Sequence, residues 1–336
     1  MLLNKLRELL TLSEAFLHWR VLKSGKLPYP PVSVSIEVTN VCNFRCSFCP
    51  QSDQGHLERV GKFYLNEANL FTILKKIRAS GFRKNTLHWT LDGEPLMHKD
   101  FDRFCAIAMD FGFDNFFFAS NALLLTQKRA QRLPPSARYT FTVDFCSDQK
   151  YFETNRGGRG SWEKIRENIV AILRDPSLGR VSFVLSDISS YSIRDPESLE
   201  RRFSEMVSLF PKSGRLRFHR KTFHNSTGSV LLEGVGTDDV YHLCPYPWTT
   251  LSVSANGEVV ACCRDIGHKT VLGNLFEKEL MEVWNGPGYQ SLRKSLADRQ
   301  PGLVEACRGC DLPYDRSKFS LGNILISLRD RFQIFR

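Results

Sequence analysis

The sequence predicts an α/β fold in which a mostly parallel sheet, open or partly closed into a barrel, is followed by a smaller domain organised by metal. Between residues 32 and 219, six strand-like stretches alternate with five helix-like stretches, and this alternation implies βαβ crossovers. After about residue 222 the composition changes to short polar and cysteine-bearing segments. A length of 336 residues with 42% hydrophobic residues fits one large and one smaller domain and excludes a disordered chain.

Glycines and prolines separate the predicted elements, as at Gly81, Gly112, Pro134, Pro176 and Gly214. The predicted strands comprise residues 32–38, 85–91, 115–119, 139–143, 180–185 and 215–219. The predicted helices comprise residues 67–80, 102–111, 126–133, 162–173 and 196–209. Two shorter strands, 249–253 and 258–261, are predicted in the second domain, joined by a turn at residues 255–257. Active sites of such folds lie at the carboxyl ends of the strands.

The chain divides into four predicted segments. Residues 1–31 contain an amphipathic helix at 2–22 and a proline-rich linker. This helix either docks on the main domain or lies as a basic helix on a membrane surface, which would be a peripheral membrane contact. Residues 32–222 form the large domain, residues 223–316 the metal-organised domain, and residues 317–336 a basic amphipathic tail.

A cytoplasmic location is predicted. The apolar N-terminal residues are interrupted by Asn4, Lys5, Arg7 and Glu8, unlike the core of a signal peptide, and no apolar run approaches the ~20 residues of a membrane span. Ten cysteines are too few for a disulfide scaffold in a chain of this length. Their clustering into two groups indicates metal ligation in a reducing compartment.

The first group, Cys42, Cys46 and Cys49, directly follows the first predicted strand. Three thiolates leave one corner of a cubane iron–sulfur cluster vacant, whereas a structural metal site is normally closed by four ligands. An open iron is a place where substrate can bind. Zinc and scattered free thiols are the alternative interpretations.

The run CNFRCSFC from Cys42 to Cys49 resembles the signature of radical S-adenosylmethionine (radical SAM) enzymes, including the aromatic Phe48 before the third cysteine. The resemblance implies that residues 32–222 form a partial (β/α)6 barrel of the TIM type, and that the three cysteines hold a [4Fe–4S] cluster. The open iron would chelate the amino and carboxylate groups of S-adenosylmethionine. Reductive cleavage would give methionine and a 5′-deoxyadenosyl radical that abstracts hydrogen from a substrate C–H bond.

The segment that ends the second strand resembles the family's Gly-Gly-Glu-Pro motif. It consists of Asp92, Gly93, Glu94 and Pro95, with Asp92 at the place of the first glycine. By the resemblance, its backbone and acid hold the methionine amino group of the cofactor. An acid after a strand can also simply cap the next helix.

Two later segments resemble cofactor-binding positions of the same family. Ser120 and Asn121, after the third strand, resemble a Thr-Asn-Gly segment near the cofactor ribose, with Ala122 in place of glycine. Asp144, which ends the fourth strand, and Arg156 beyond it resemble the Ser-x-Asp and Arg positions that contact the cofactor. A Ser-Asn pair is also ordinary in a turn.

The second group of cysteines provides four potential ligands and therefore a closed site. Its members are Cys244, Cys262, Cys307 and Cys310, and Cys263 is a spare. Residue types alone suit a zinc ribbon as well as an iron–sulfur cluster.

The context of these cysteines resembles the SPASM or "twitch" extension of radical SAM enzymes. The resemblance rests on Asn256-Gly257, Gly273-Asn274 and Trp284 between the ligands. It implies a small C-terminal α+β domain with one auxiliary [4Fe–4S] cluster.

Two other thiols are candidates for returning a hydrogen atom to a substrate radical. Cys146 follows a strand end, and Cys263 lies beside the predicted auxiliary cluster. The alternative for each is a small buried apolar residue, which is also the interpretation of Cys105 on its helix.

The resemblance implies a radical SAM oxidoreductase. The leading outcome is dehydrogenation of an alcohol carbon in a sugar or aminocyclitol, with the auxiliary cluster as electron acceptor; hydrogen return from a thiol would give an epimer instead. One alternative is a SPASM maturase that crosslinks a ribosomally made peptide, although about 30 residues before the barrel are few for a peptide-recognition domain. Another is a non-enzymatic zinc- or cluster-binding interaction protein.

The predicted partners are S-adenosylmethionine, a small-molecule or carbohydrate-like substrate and an external electron donor such as flavodoxin or ferredoxin. The formal charge of the chain is +10. Basic and apolar residues alternate along strand 215–219 and its extension to 221, which would place the basic side chains on one face. That face could bind an anionic substrate, an acidic peptide, a membrane or nucleic acid, or could simply be solvated. The sequence contains no added nucleic-acid-binding module, and nucleic acid is not an expected partner.

Overall fold

The computed structural model describes residues 10–158, 160–230, 232 and 240–314. Among these residues, nine strands form one sheet in the order β6-β5-β4-β3-β2-β1-β7-β8-β9. The strands are β1 Ser33–Ile36, β2 Thr86–Trp89, β3 Asn115–Ala119, β4 Arg138–Phe145, β5 Val181–Asp187, β6 Leu216–Arg220, β7 Thr250–Val253, β8 Glu258–Val260 and β9 Val271–Asn274.

Strands β1 to β6 pair in parallel, each with the next along the chain, so the α/β prediction is confirmed. Phenylalanines of neighbouring strands fill one face of this sheet. The ring centroids of Phe118 and Phe141 are 4.7 Å apart, and those of Phe141 and Phe183 are 6.1 Å apart. These side chains are among the buried residues of the core. This packing fixes the strand ends that carry the candidate site.

The helices connect the strands and continue into the C-terminal part. They are α1 His56–Val60, α2 Glu67–Ala79, α3 Phe101–Asp110, α4 Gln127–Gln131, α5 Gln149–Arg156, α6 Ser161–Arg174, α7 Pro196–Ser208, α8 Tyr246–Thr249, α9 Leu280–Trp284, α10 Pro287–Ala297 and α11 Glu305–Arg308. The predicted elements up to residue 219 are present, with ends that differ by no more than two residues. The sequence did not predict α1 or α5, since α1 buries only His56 and α5 only Phe152 and Arg156, which leaves no apolar stripe to recognise.

The sheet continues across the predicted domain boundary at residue 222. Strand β7 pairs in parallel with β1, with Val34 beside Leu251, and β8 and β9 follow antiparallel. Beyond β1, the buried carboxylate of Glu37 accepts hydrogen bonds from the backbone N–H groups of Asp92 and Ala255, both at 3.1 Å. Burial, with the nearby charge of Asp92, raises the pKa of Glu37 to about 8. The expected separate domain is thus joined to the large one by strand pairing.

The described part of the N-terminal segment docks on the C-terminal part of the chain. Trp19 is buried, and its indole N–H donates to the carbonyl of Leu243 at 3.2 Å. The backbone N–H of Leu27 donates to the side chain of Asn285 at 2.8 Å. The helical residues 10–21 also carry exposed apolar side chains, namely Leu10, Phe16, Leu17 and Val21.

Some sequence predictions fall outside the described residues. The predicted amphipathic helix at 2–22 is described only from residue 10 onward. The predicted tail at 317–336 lies wholly outside the described residues. In the ranges that the structure does describe, no helix is long and apolar enough to cross a membrane.

Candidate active site

The loop that carries the first three cysteines leaves the carboxyl end of β1 and is fixed against the end of α5. The backbone N–H of Ser47 donates to the carbonyl of Asn155 at 2.8 Å, and that of Arg45 donates to the carbonyl of Arg156 at 3.3 Å. Within the loop, the N–H of Cys49 donates to the carbonyl of Cys46 at 2.9 Å. Backbone contacts therefore hold the loop in place.

Of the three thiols of this loop, Cys46 is buried and Cys42 and Cys49 are half-buried. Burial raises the pKa of Cys42 and of Cys49 to about 12, and it also raises that of Cys46. Negative charge on Cys46 would raise the pKa of Cys42, and charge on either of these two would raise that of Cys49. Thiolates gathered here need a cation to compensate them, which is what iron supplies.

Glu94 connects the ends of three strands. It is 2% exposed, and its carboxylate accepts hydrogen bonds from the backbone N–H of Leu96 at 3.1 Å, the hydroxyl of Ser120 at 2.8 Å and the backbone N–H of Asn121 at 2.6 Å. The side-chain amide of Asn121 in turn donates to Asn43 in the cysteine loop at 2.7 Å. The structure thus brings the predicted segments after β1, β2 and β3 together.

Asp92, the acid at the unusual motif position, turns toward the base of the cysteine loop. It is 5% exposed, and its carboxylate lies 2.7 Å from Nε2 of His56 and accepts from the amide of Gln51 at 2.8 Å. Gln51 also donates to the carbonyl of Asn40 at 2.7 Å. Sequence reasoning missed Gln51 and His56, since only their place shortly after the third cysteine could have indicated them.

Asp144, at the end of β4, forms two part-buried ion pairs. Its carboxylate accepts from Nη1 of Arg156 at 3.0 Å and from Nζ of Lys221 at 2.8 Å. Burial alone would raise its pKa, but these two cations outweigh burial and hold the pKa below the usual range. His219 lies on the same edge, with Nε2 3.3 Å from the hydroxyl of Ser186. Lys221 and His219 were recognised in the sequence only as part of a basic run.

An aromatic cluster covers the cysteine loop. Phe48, Tyr191 and Phe223 contact one another in pairs, with ring centroids 5.0 to 5.3 Å apart. Nζ of Lys221 lies 5.7 Å from the centroids of both phenylalanines, and the guanidinium of Arg156 lies 6.0 Å from that of Phe48. Phe48 therefore connects the loop to the ion pairs of Asp144. Pro95 is buried at the start of the turn after Glu94.

Three cations of the basic strand and its flanking residues have partners within the protein. Arg215 donates to main-chain carbonyls, including that of Leu178 at 2.7 Å, and Arg220 pairs with Glu200 of α7. Lys221 pairs with Asp144. These three cations are therefore not free to bind anions, whereas Arg217 on β6 is exposed. The expectation of a shared basic face stays a prediction.

The second group of cysteines converges on the C-terminal part of the sheet. Cys262 follows β8, Cys307 lies in α11, and Cys244 precedes α8. Burial raises the pKa of each, that of Cys307 to about 12, and the thiols also act on one another: Cys310 raises the pKa of Cys244, Cys262 and Cys307. In the described part of the chain, no three or more His, Cys, Asp or Glu side chains are arranged to hold a metal ion. A [4Fe–4S] cluster instead bonds each thiolate to a different iron.

Family models match both regions of the chain. The model of the radical SAM superfamily matches residues 36–174, which contain the first cysteine loop and the linked segments after β2 and β3. The model of SPASM, an iron–sulfur cluster-binding domain, matches residues 244–311. This chain is a radical SAM enzyme with a SPASM domain. Its cofactors are accordingly a [4Fe–4S] cluster and S-adenosylmethionine, together with auxiliary iron–sulfur cluster binding by the SPASM domain.

Known proteins resemble this radical SAM enzyme along most of its length. An S-adenosyl-L-methionine-dependent 2-deoxy-scyllo-inosamine dehydrogenase of Niallia circulans is 22% identical over 288 residues, which are 83% of this chain and 92% of that protein. The structure of BtrN with AdoMet and 2-DOIA is similar with a TM-score of 0.58 and 20% identity, covering 85% of this chain and 94% of that one. Streptococcus suis SuiB bound to its precursor peptide SuiA has a TM-score of 0.53 and 17% identity, covering 87% and 73%.

The remaining thiols of this radical SAM enzyme differ in their surroundings. Cys146 is wholly buried, its thiol donates to the carbonyl of Asp148 at 3.3 Å, and burial raises its pKa to about 12. Cys105 is wholly buried on α3. Cys263 is half-buried next to Cys262. The burial of Cys146 supports its interpretation as a packing residue.

Gly93 is the position of the motif where the backbone leaves no room for a side chain. Its φ is +70°, and a Cβ would lie 2.3 Å from the carbonyl oxygen of Thr39 and 2.7 Å from the carbonyl carbon of Asn40. We expect Gly93→Ala to lower the free energy of unfolding by about 3 kcal/mol or more, because left-handed strain and a backbone clash add together. The clash displaces the chain just before Cys42, so iron content after reconstitution should fall as well.

Gly81→Ala is the matched control for this substitution. Gly81 has a φ of +90°, but among the described residues nothing apart from its chain neighbours lies within 4 Å of the place that the alanine methyl group would take. We expect this variant to lose only about 1–2 kcal/mol and to keep its iron. Urea denaturation measures the free energy of unfolding, and iron analysis measures the iron content. Equal losses of both in the two variants would show that the close approach of Gly93 to Thr39 and Asn40 is not what makes this position sensitive.

Proposed function

We propose that this enzyme dehydrogenates an alcohol carbon of an aminocyclitol or a similar sugar-like small molecule. The observation that carries the proposal is the match to the 2-deoxy-scyllo-inosamine dehydrogenase, which extends over 92% of that protein. The first cysteine group follows β1 and Cys262 of the second follows β8, and both strands belong to one continuous sheet, which supports a reaction that uses both sites.

We assign the cofactor ligands as follows. Cys42, Cys46 and Cys49 bind the cluster that holds S-adenosylmethionine, and the other ligand set binds one auxiliary cluster. That set consists of Cys244, Cys262, Cys307 and Cys310. When bound, these groups supply a carbon-centred radical that abstracts hydrogen and an acceptor for the electron left on the substrate.

The residues around the cysteine loop are proposed to bind the cofactor and to exclude water. Glu94 holds Ser120 and Asn121 in place through its hydrogen bonds, so the segment after β3 keeps a fixed position beside the loop. Asp144 and Arg156 form the polar wall of the site, and Phe48 with its aromatic neighbours covers the loop from solvent.

His219 is the residue that we propose to accept the hydroxyl proton. Conversion of the alcohol to a ketone removes one hydrogen atom from carbon, one proton from oxygen and one electron. Burial lowers the pKa of His219 below its usual value, although Asp144 opposes this effect. The lowered pKa favours the neutral imidazole, which is able to take a proton, and product formation should fall as acid pH protonates the ring.

We expect His219→Asn to reduce ketone formation by roughly 10²- to 10⁴-fold, the usual contribution of a general base. Cleavage of S-adenosylmethionine should continue, because the cysteine loop is unchanged. Arg217→Gln, an exposed change on the same strand, is the matched control and should keep wild-type turnover. Product and 5′-deoxyadenosine are measured in the same assay; wild-type ketone formation by His219→Asn would assign the proton to another group.

Product mass tests the proposed function directly. The anaerobically reconstituted enzyme is incubated with dithionite, S-adenosylmethionine and 2-deoxy-scyllo-inosamine or related aminocyclitols in deuterated buffer. A product lighter by two hydrogen atoms supports dehydrogenation. Unchanged chemical composition with one solvent deuterium indicates epimerisation, and a crosslinked peptide from a precursor assay indicates a maturase; either result would overturn the proposal. Zinc-loaded protein that cleaves no S-adenosylmethionine would indicate a binding protein.

The proposed setting is the cytoplasm, with an external donor such as flavodoxin or ferredoxin supplying the electron for cofactor cleavage. All ten cysteines are free thiols in the structure, which fits a reducing compartment. Contact with a membrane through the exposed apolar side chains of residues 10–21 stays a prediction.

A further inference from the structure

An arginine is buried between the two loops that carry the later cysteines. Arg264 follows Cys262 by two residues and is only 6% exposed. Arginine is seldom buried without a compensating partner, because removing its charge from water is costly. Nothing in the sequence motifs assigns a role to this position.

The side chain of Arg264 connects both cysteine loops. Its Nη1 donates to the carboxylate of Asp311 at 2.9 Å, and Asp311 directly follows Cys310 in the chain. The backbone N–H of Arg264 donates to Sγ of Cys262 at 3.4 Å. The same residue therefore contacts one of the four thiols that we assign to the auxiliary cluster, and through Asp311 it is tied to the loop that carries Cys307 and Cys310.

Asp311 offsets part of this positive charge and anchors a third segment. Its second carboxylate oxygen accepts from the backbone N–H of Asn225 at 3.3 Å, and its own N–H donates to the Asn225 side chain at 3.3 Å. The ion pair between Arg264 and Asp311 is buried on both sides. A buried pair is screened little by water, so changing either partner changes the potential felt by the neighbouring sulfurs.

Hydrogen bonds to cluster sulfurs and nearby positive charge are known determinants of the potential of iron–sulfur clusters. Reduction adds a negative charge to the cluster, and a cation stabilises that charge more than it stabilises the oxidised form. A nearby carboxylate has the opposite effect. Arg264 and Asp311 thus act on the same group with opposite signs.

We propose that Arg264 is a positioning residue that raises the reduction potential of the auxiliary cluster, so that the cluster can accept the electron of the substrate, and that Asp311 limits this rise. The inference rests on the proposed ligation of that cluster by Cys244, Cys262, Cys307 and Cys310. It concerns electron acceptance and leaves the identity of the substrate open.

The test is a redox titration of the reconstituted full-length enzyme, followed by electron paramagnetic resonance. Addition of S-adenosylmethionine perturbs the signal of the cluster at the first cysteine loop and so distinguishes it from the auxiliary signal. We expect Arg264→Gln to lower the midpoint potential of the auxiliary cluster by about 59 mV, which corresponds to a tenfold change in the equilibrium constant of its one-electron reduction. Asp311→Asn should shift it in the opposite direction, and Arg264→Lys should shift it less than Arg264→Gln.

Iron and sulfide content per chain accompanies each titration, and the same titrations in the Cys42→Ala/Cys46→Ala/Cys49→Ala background isolate the auxiliary signal. A purely structural role predicts cluster loss in both charge variants with no shift of opposite sign. Assembled clusters with unchanged potentials, or shifts of the same sign, would overturn the role of Arg264. Failure of the wild-type enzyme to hold an auxiliary cluster would instead overturn the proposed function.

Discussion

Replacing Cys42, Cys46 and Cys49 together with alanine is expected to abolish cleavage of S-adenosylmethionine. The three thiols share one loop, and burial and mutual charge raise their pKa values, so they are suited to a metal cluster rather than to independent thiol chemistry. Removing them leaves no thiolate ligand in that loop. The test is anaerobic reconstitution, reduction with dithionite and measurement of 5′-deoxyadenosine. We expect no 5′-deoxyadenosine, while the second cysteine group still retains part of the iron.

Ser47→Ala is the control for this triple variant, since Ser47 lies in the same loop and its side chain is exposed. Its backbone contact with Asn155 does not depend on the hydroxyl. We expect this variant to keep wild-type iron content and cleavage. Continued 5′-deoxyadenosine formation by the triple variant would refute the assignment of these cysteines, and so would wild-type protein that contains zinc alone.

Replacing Cys307 and Cys310 together with alanine is expected to separate cofactor cleavage from product formation. These thiols lie in the SPASM domain, at the opposite end of the chain from the cysteine loop, and the hydrogen bonds around Glu94 do not involve them. Cleavage of S-adenosylmethionine should therefore continue. Oxidised product should fall below detection, because the electron left on the substrate has lost its acceptor.

The comparison is the ratio of 5′-deoxyadenosine to product, measured for both variants in one assay. Leu303→Ala is the control, since Leu303 precedes the same cysteines and is 70% exposed. It should keep the wild-type ratio. Full product formation by the double cysteine variant would eliminate the auxiliary cluster as the electron acceptor.

Local sequence patterns were sufficient to predict the parallel part of the fold. The alternation of strands and helices and the spacing of Cys42, Cys46 and Cys49 are short-range features, and both are directly readable. The linkage of Glu94 with Ser120 and Asn121 was predictable in outline, because parallel strands place their carboxyl ends at one edge. The family resemblance supplied the order of these segments.

Long-range pairings were beyond the reach of the same patterns. The four-residue strand β7 has no periodicity that identifies β1 as its neighbour more than 200 residues away. The contact of Asp92 with His56 depends on α1, which has no apolar stripe. In the basic strand, alternation gives the direction of side chains but not their partners, and Arg220 and Lys221 are paired with acids on other elements.

The shared sheet has a consequence for protein engineering. If the chain were cut after residue 222, β1 would lose its pairing with β7 and expose a row of unsatisfied backbone donors and acceptors. Such an edge invites association with other chains, and Glu37 would lose its bond to Ala255 at the same time. The SPASM part therefore cannot be exchanged between relatives as a detachable module; a functional chimera must carry β1 and β7 from a matching pair.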